Sequence, residues 1–159
     1  MANTYSQVYV QIVFCVKGRQ NLIDMIWKEE LYKYICGIVN GKKQKVYAIG
    51  GVADHVHILV SLKPDITISD LVRDIKAGSS KWINEKQLVR GKFQWQQGFG
   101  VFSYAQSNLD YVIAYINNQE IHHQKKSFKD EYVELLKQFN IDYNEAYLFH
   151  WIDLNGNVL

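Results

Sequence analysis

Two histidines stand two residues apart in the run Asp54-His55-Val56-His57-Ile58-Leu59-Val60. Val56, Ile58 and Val60 alternate with His55, His57 and Leu59, which is the side-chain period of a β-strand, so both imidazoles leave the same face. That spacing lets them reach one metal ion or one phosphate. An H-x-H pair on its own is more often a pair of surface or core histidines, and a catalytic site needs a third ligand and a nucleophile beside it. A helix expected near 107–124 can offer both. Tyr115 and Gln119 are four residues apart and share a helix face, with His122 on that face as well. Tyr111 lies one turn before Tyr115, so spacing alone does not choose between the two tyrosines. Two imidazoles and an amide oxygen form a borderline-to-hard donor set with coordination positions left open. Mg²⁺ or Mn²⁺ bridging to a phosphate suits that set better than a closed zinc site, for which the chain shows no thiolate or carboxylate group of the usual kind.

The elements that must position these residues follow from periodicity. Tyr5 to Val16 reads as a long strand with Val8, Val10, Ile12, Phe14 and Val16 on one apolar face. Trp27, Leu31, Tyr34, Ile35 and Ile38 place a helix near 26–39, with Asn40-Gly41 as its stop. Lys45 to Val52 and His55 to Leu62 read as an antiparallel hairpin, with Gly50-Gly51 and Asp54 as turn or bulge. Thr67 caps a helix that begins with Ile68-Ser69-Asp70 and carries Leu71, Ile75 and Trp82 on one face. A short strand follows at 99–104. Ser107 is the expected cap of the 107–124 helix, and Ser127 starts a last helix with Asp130 and Glu131 in its first turn. Asn155-Gly156-Asn157 reads as a turn near the C-terminus. The order β-α-β-β-α-β predicts an α+β, ferredoxin-like antiparallel sheet with helices on one face, followed by a C-terminal helix bearing Tyr115. In that topology the first and third strands form the central pair, so His55 and His57 emerge from mid-sheet.

Length and composition bound the rest. At 159 residues the chain fits one domain, expected over 1–159 with a core at about 4–140 and a tail at 141–159. The net charge of +2 permits a nucleic-acid partner without requiring one, because local clustering of Lys and Arg decides that. Lys42 and Lys43 lie in a short basic run that is either a solvated turn or a phosphate contact. Arg73, Lys76 and Lys81 leave the second long helix as further phosphate candidates. Trp95, Phe99, Phe102 and Tyr104 interleave with basic residues and either stack on unpaired bases or pack in the core. Cys15 and Cys36 sit among apolar residues in no metal-ligand spacing, so buried thiols of a reducing compartment are expected. The N-terminus lacks a signal-peptide pattern and no apolar run approaches a membrane span of about 20 residues, which leads to a cytoplasmic expectation.

The ordered set of motifs carries a resemblance. His55-Val56-His57, then Trp95-Gln96-Gln97-Gly98-Phe99 and Phe102-Ser103, then Tyr115-Ile116-Asn117-Asn118-Gln119 with His122-His123, resembles the single-tyrosine HUH transposases. These are small enzymes of bacterial insertion sequences that move as single-stranded DNA. The likeness extends over roughly residues 4–140. It implies that His55, His57 and Gln119 hold Mg²⁺ or Mn²⁺, and that Tyr115 attacks a DNA phosphate to give a 5′-phosphotyrosine bond and a 3′-hydroxyl. It implies hairpin recognition and a homodimer, in which the tyrosine helix can serve either subunit. His122 and His123 are expected as DNA or supporting contacts. Two other readings compete with a transposase: a domesticated HUH nuclease acting on repeated genomic hairpins, and a non-catalytic single-strand-binding module on the same fold.

Overall fold

In the computed structural model, which describes residues 3–148, the long N-terminal apolar run forms β1 (Val8–Cys15). The turn expected at Asn155-Gly156-Asn157 lies outside those residues. After β1 come α1 (Lys28–Gly41), β2 (Lys45–Val52), β3 (His55–Leu62), α2 (Ile68–Glu85) and β4 (Gly100–Tyr104). Then follow α3 (Leu109–Asn117), α4 (Gln119–His123) and α5 (Phe128–Gln138). The sheet order is β2-β3-β1-β4 and every pairing is antiparallel. β1 and β3 are therefore central, with Cys15 opposite His55 and Val13 opposite His57.

Alternation along β1 sends two apolar faces in opposite directions, and both are covered. Val10, Ile12, Phe14 and Val16 pack with Val56, Ile58 and Val60 under α1 and α2. Fully burying side chains such as Ile12, Phe14 and Ile58 contributes about 1.5–3 kcal/mol each. On the other face, Val13, Cys15 and Phe102 meet α5, while Ala48 and Leu59 meet Val112 and Ile116 of α3. Helices thus lie on both sides of the sheet, the last three opposite the first two. His55 and His57 share the α3–α5 side with Leu59.

Local chemistry sets the element ends, and some differ from the sequence reading. Thr67 Oγ1 accepts from the Asp70 N–H at 3.1 Å and Ser127 Oγ from the Asp130 N–H at 3.2 Å, so both expected caps form. Ser107 does not cap. It lies in a 3₁₀ turn over Gln106–Asn108, and Asn108 precedes α3 without a side-chain cap bond. α1 runs through Gly41, and Lys43 takes the left-handed turn with φ 61°. Gly50 and Gly51 belong to β2, whose register shift falls between Val46 and Ala48. The single helix expected over 107–124 is broken at Asn118, where φ −103° and ψ 22° separate α3 from α4. Tyr115 and Gln119 therefore sit on two short helices.

Gly50 fixes how close α3 comes to the sheet. A Cβ there would lie 2.3 Å from the Ile116 carbonyl oxygen, which no side chain tolerates. Only glycine lets the backbone next to Tyr115 rest directly on β2.

Candidate metal centre and nucleophile

The two strand histidines are fully buried and each is held through its Nδ1. His55 Nδ1 donates to Asp54 Oδ1 at 2.7 Å, and His57 Nδ1 donates to Gln11 Oε1 at 2.7 Å. Gln11 is oriented in turn, because its Nε2 donates to the Tyr104 hydroxyl at 2.8 Å. Both Nε2 atoms then point into the space between the sheet and the last three helices.

Those helices bring the remaining groups. The Gln119 Nε2 donates to the Tyr115 carbonyl at 3.4 Å across the break at Asn118 and to Glu131 Oε2 at 3.3 Å. This turns Gln119 Oε1 toward the histidines, 3.4 Å from His55 Nε2 and 2.9 Å from His123 Nε2. His123 is fixed like the strand pair, its Nδ1 donating to the Lys126 carbonyl at 2.9 Å. Glu131, 2 % exposed in the first turn of α5, stands at the middle. Its Oε1 lies 2.9 Å from His57 Nε2, 3.1 Å from His123 Nε2 and 3.6 Å from His55 Nε2. Its Oε2 lies 3.0 Å from His122 Nε2 and accepts from the Tyr115 hydroxyl. Tyr115 also approaches His122 Nε2 at 3.5 Å, and its ring centroid is 5.9 Å from that of His57. Tyr111, the alternative left by spacing, is 75 % exposed and turned to solvent.

Charge is concentrated here out of water. Burial works against the Glu131 carboxylate, but the imidazoles of His57, His123 and His55 outweigh it and hold the group well below the usual carboxylate range. Burial pulls the His55 imidazole down, yet Asp54 and Glu131 override it and raise it to about 9. For His57 burial wins and the imidazole is lowered. Burial and the adjacent Glu131 push the Tyr115 phenol far up.

Among the described residues, one donor atom each from His55, His57, His123 and Glu131 lies within 4.8 Å of the others. Such a set fits a divalent cation: the nitrogens are anchored from behind and the carboxylate supplies negative charge. Of the residues expected from the sequence, Gln119 meets His55 directly, while His57 and the Tyr115 hydroxyl meet at Glu131, and His123 contacts both Gln119 and Glu131. His123 was expected as a DNA or supporting contact, and Glu131 was placed only in a first helical turn. A signal for Glu131 existed. Phe128, Tyr132, Leu135 and Leu136 form the apolar stripe of α5, and Glu131 interrupts that stripe at the same spacing.

The cationic candidates lie elsewhere. Lys42 pairs with Asp74, Arg73 with Asp70 at 3.2 Å and Asp74 at 3.1 Å, and Lys81 with Glu85 at 3.8 Å; Lys43 is exposed. Lys76 fastens the 92–99 segment, donating to the carbonyls of Gln96 at 2.8 Å and Gly98 at 2.6 Å over the Phe14 ring. Lys17, Arg73, Lys76 and Lys92 nevertheless line one groove of about 890 Å³ beside α2. Phe93, Trp95 and Phe102 are core residues, with Trp95 Nε1 donating to Ser79 Oγ at 2.9 Å.

Three comparisons with known proteins bear on this arrangement. The profile of the family described as "Transposase IS200 like" matches residues 4–119. No curated protein matches. Among solved structures, a protein described as a transposase of Deinococcus radiodurans R1 superposes with a TM-score of 0.61 at 18% identity, covering 75% of this chain and 95% of its own. A REP-associated tyrosine transposase bound to a REP hairpin superposes with a TM-score of 0.59 at 15% identity, covering 77% of this chain and 73% of its own. At these identities the structural likeness concerns the fold.

Proposed function

Because the chain belongs to the IS200-like transposase family, we propose that it cleaves and rejoins single-stranded DNA near hairpins, with Tyr115 as the nucleophile and a divalent cation at His55, His57 and Gln119. The observation that carries this reading is a phenol from α3 whose hydroxyl is directed into a buried imidazole cluster of the same chain. Bound there, Mg²⁺ or Mn²⁺ supplies Lewis-acid polarisation of the scissile phosphate. The chain's own residues do the remainder. Asp54 and Gln11 hold the imidazoles in one tautomer, and Glu131 orients the Tyr115 hydroxyl. The Tyr115 oxygen bonds to phosphorus as the bond from phosphorus to the 3′ oxygen breaks. The proton lost by the phenol is balanced on the 3′-hydroxyl product. The phosphotyrosine conserves the energy of the phosphodiester, so rejoining needs no nucleotide.

A single domain over 1–159, with its core at about 4–140, would contain this chemistry. The basic groove beside α2 is a surface for the DNA backbone, and the hairpin bound by the REP-associated neighbour supports a hairpin substrate. The working unit is a homodimer in which each tyrosine serves its own histidines, an arrangement supported by the contact of Tyr115 with Glu131 within one chain.

The test is incubation with labelled single-stranded DNA from the flanks of the gene, plus Mn²⁺. A denaturation-resistant protein–DNA band is expected, lost completely in Tyr115→Phe while DNA binding by gel shift survives. Binding without a covalent band in the wild type would leave a non-catalytic single-strand-binding module instead.

A further inference from the structure

Three imidazoles in the cluster share one property. His55, His57 and His123 each commit Nδ1–H to an oxygen: the Asp54 carboxylate, the Gln11 amide and the Lys126 carbonyl. In the neutral tautomer that leaves a lone pair on each Nε2. All three lone pairs face oxygens that are themselves acceptors, Glu131 Oε1 and Gln119 Oε1. Gln119 cannot turn its amide to relieve this, because its Nε2 is engaged by Glu131 and by the Tyr115 carbonyl. Five lone pairs converging in a buried space repel unless positive charge lies among them. A proton on one imidazole relieves only the contacts of that ring, whereas one divalent cation satisfies all five atoms.

The spacing is close to that of a bound ion. Neighbouring donors around an octahedral ion at about 2.1 Å stand about 3.0 Å apart, and opposite donors about 4.2 Å. The contacting pairs here lie 2.9 to 3.6 Å apart, and the donor atoms of His55, His57, His123 and Glu131 lie within 4.8 Å of one another, so the set draws in by a few tenths of an ångström around an ion.

We infer that Glu131 and His123 complete the cation site begun by His55, His57 and Gln119, and that this set selects a first-row transition ion, for which Mn²⁺ is the paramagnetic probe, over Mg²⁺. Mg²⁺ takes oxygen donors and keeps several waters, while three imidazoles suit first-row transition ions such as Fe²⁺, Zn²⁺ and Ni²⁺. His55, His57, His123, Gln119 and Glu131 would hold the ion and leave it open to a phosphate oxygen. Glu131 also joins the two halves of the site, one oxygen toward the cation and the other accepting from the Tyr115 hydroxyl. The inference takes from the proposed function only the assignment of a cation to the strand histidines.

The probe is Mn²⁺ added to the metal-free full chain. Calorimetry should give one site, with Mg²⁺ bound at least tenfold more weakly. Pulsed electron paramagnetic resonance of the Mn²⁺ complex should count three coordinated imidazole nitrogens in the wild type. Glu131→Gln and His123→Ala should each weaken Mn²⁺ by about tenfold or more. Two coordinated nitrogens, or unchanged affinity in both variants, overturns the inference while the covalent assay leaves the proposed function standing. The nitrogen count needs no variant, so it decides the place of His123 if neither variant folds, and a carboxylate-to-Mn²⁺ coupling from ¹³C-labelled glutamate in the same spectra decides that of Glu131. Three nitrogens without any phosphotyrosine would support the site and sink the transposase chemistry instead.

Discussion

An imidazole pinned at one nitrogen cannot swing the other away, and this restriction makes the strand pair useful. Asp54 is the strongest of the three anchors because it is a carboxylate, and together with Glu131 it raises His55 to about 9 against the pull of burial. Asp54→Asn keeps the size of the side chain and removes its charge. Mn²⁺ affinity, read by calorimetry, should fall by about 10–100-fold, with the far-ultraviolet circular dichroism of the fold retained. Unchanged affinity would mean that the backbone, not Asp54, sets the ring. At this scale the strand period puts His55 and His57 on one face, whereas the choice of Tyr115 over Tyr111 and its pairing with Gln119 rests on the family resemblance, since the helix period leaves both tyrosines open. Asp54 and Gln11 were not read as anchors. Gln11 reaches His57 only through the register of β1 against β3, and register is a long-range fact that no local period contains. His123 is on α4 and Glu131 on α5, so their meeting depends on how three short helices pack.

The elements themselves were legible wherever alternation or a cap spoke clearly. β1, the hairpin of β2 and β3, and the helices begun by Thr67 and Ser127 follow the pattern of their residues. The break at Asn118 was not legible, since Asn117-Asn118 interrupts no apolar stripe and the Gln119 amide compensates through a side-chain bond to the Tyr115 carbonyl. That break swings His123 toward Gln119 and Glu131. How deeply α3 sits depends on Gly50, whose missing Cβ admits the Ile116 carbonyl. Gly50→Ala should force α3 away from β2, costing about 1–3 kcal/mol and several degrees of Tm in calorimetry. Because Tyr115 adjoins Ile116, the yield of covalent adduct should drop with it. Gly41→Ala is the control: nothing lies within 4 Å of its would-be Cβ, and neither reading should fall. A Gly50 variant as stable and active as the wild type would show that α3 tolerates a higher seat.

Across the whole molecule, covering the sheet on both sides has a consequence beyond the metal centre: it buries tyrosines on each side. Tyr32 lies in the α1–α2 layer, while Tyr104 and Tyr132 lie on the α5 side. Burial pushes Tyr104 and Tyr132 up to about 12, and raises Tyr32 further. Among the described residues Tyr32 alone has a buried hydroxyl without a hydrogen-bond partner, so nothing there would welcome an ionised oxygen. The sign follows from proton binding. Between the ordinary tyrosine value near 10 and the folded value near 12, the unfolded chain releases protons that the folded chain keeps. Stability is therefore complete below pH about 10 and declines as pH rises through this window. Urea midpoints should move to lower concentration from pH 10 to 12. Tyrosinate absorbance at 295 nm should stop short of eleven tyrosines while the chain is folded and complete itself with the unfolding transition. If all eleven titrated in the native state with no loss of midpoint, the hydroxyls would have access to water and the two-sided cover of the sheet would be looser than its packing implies.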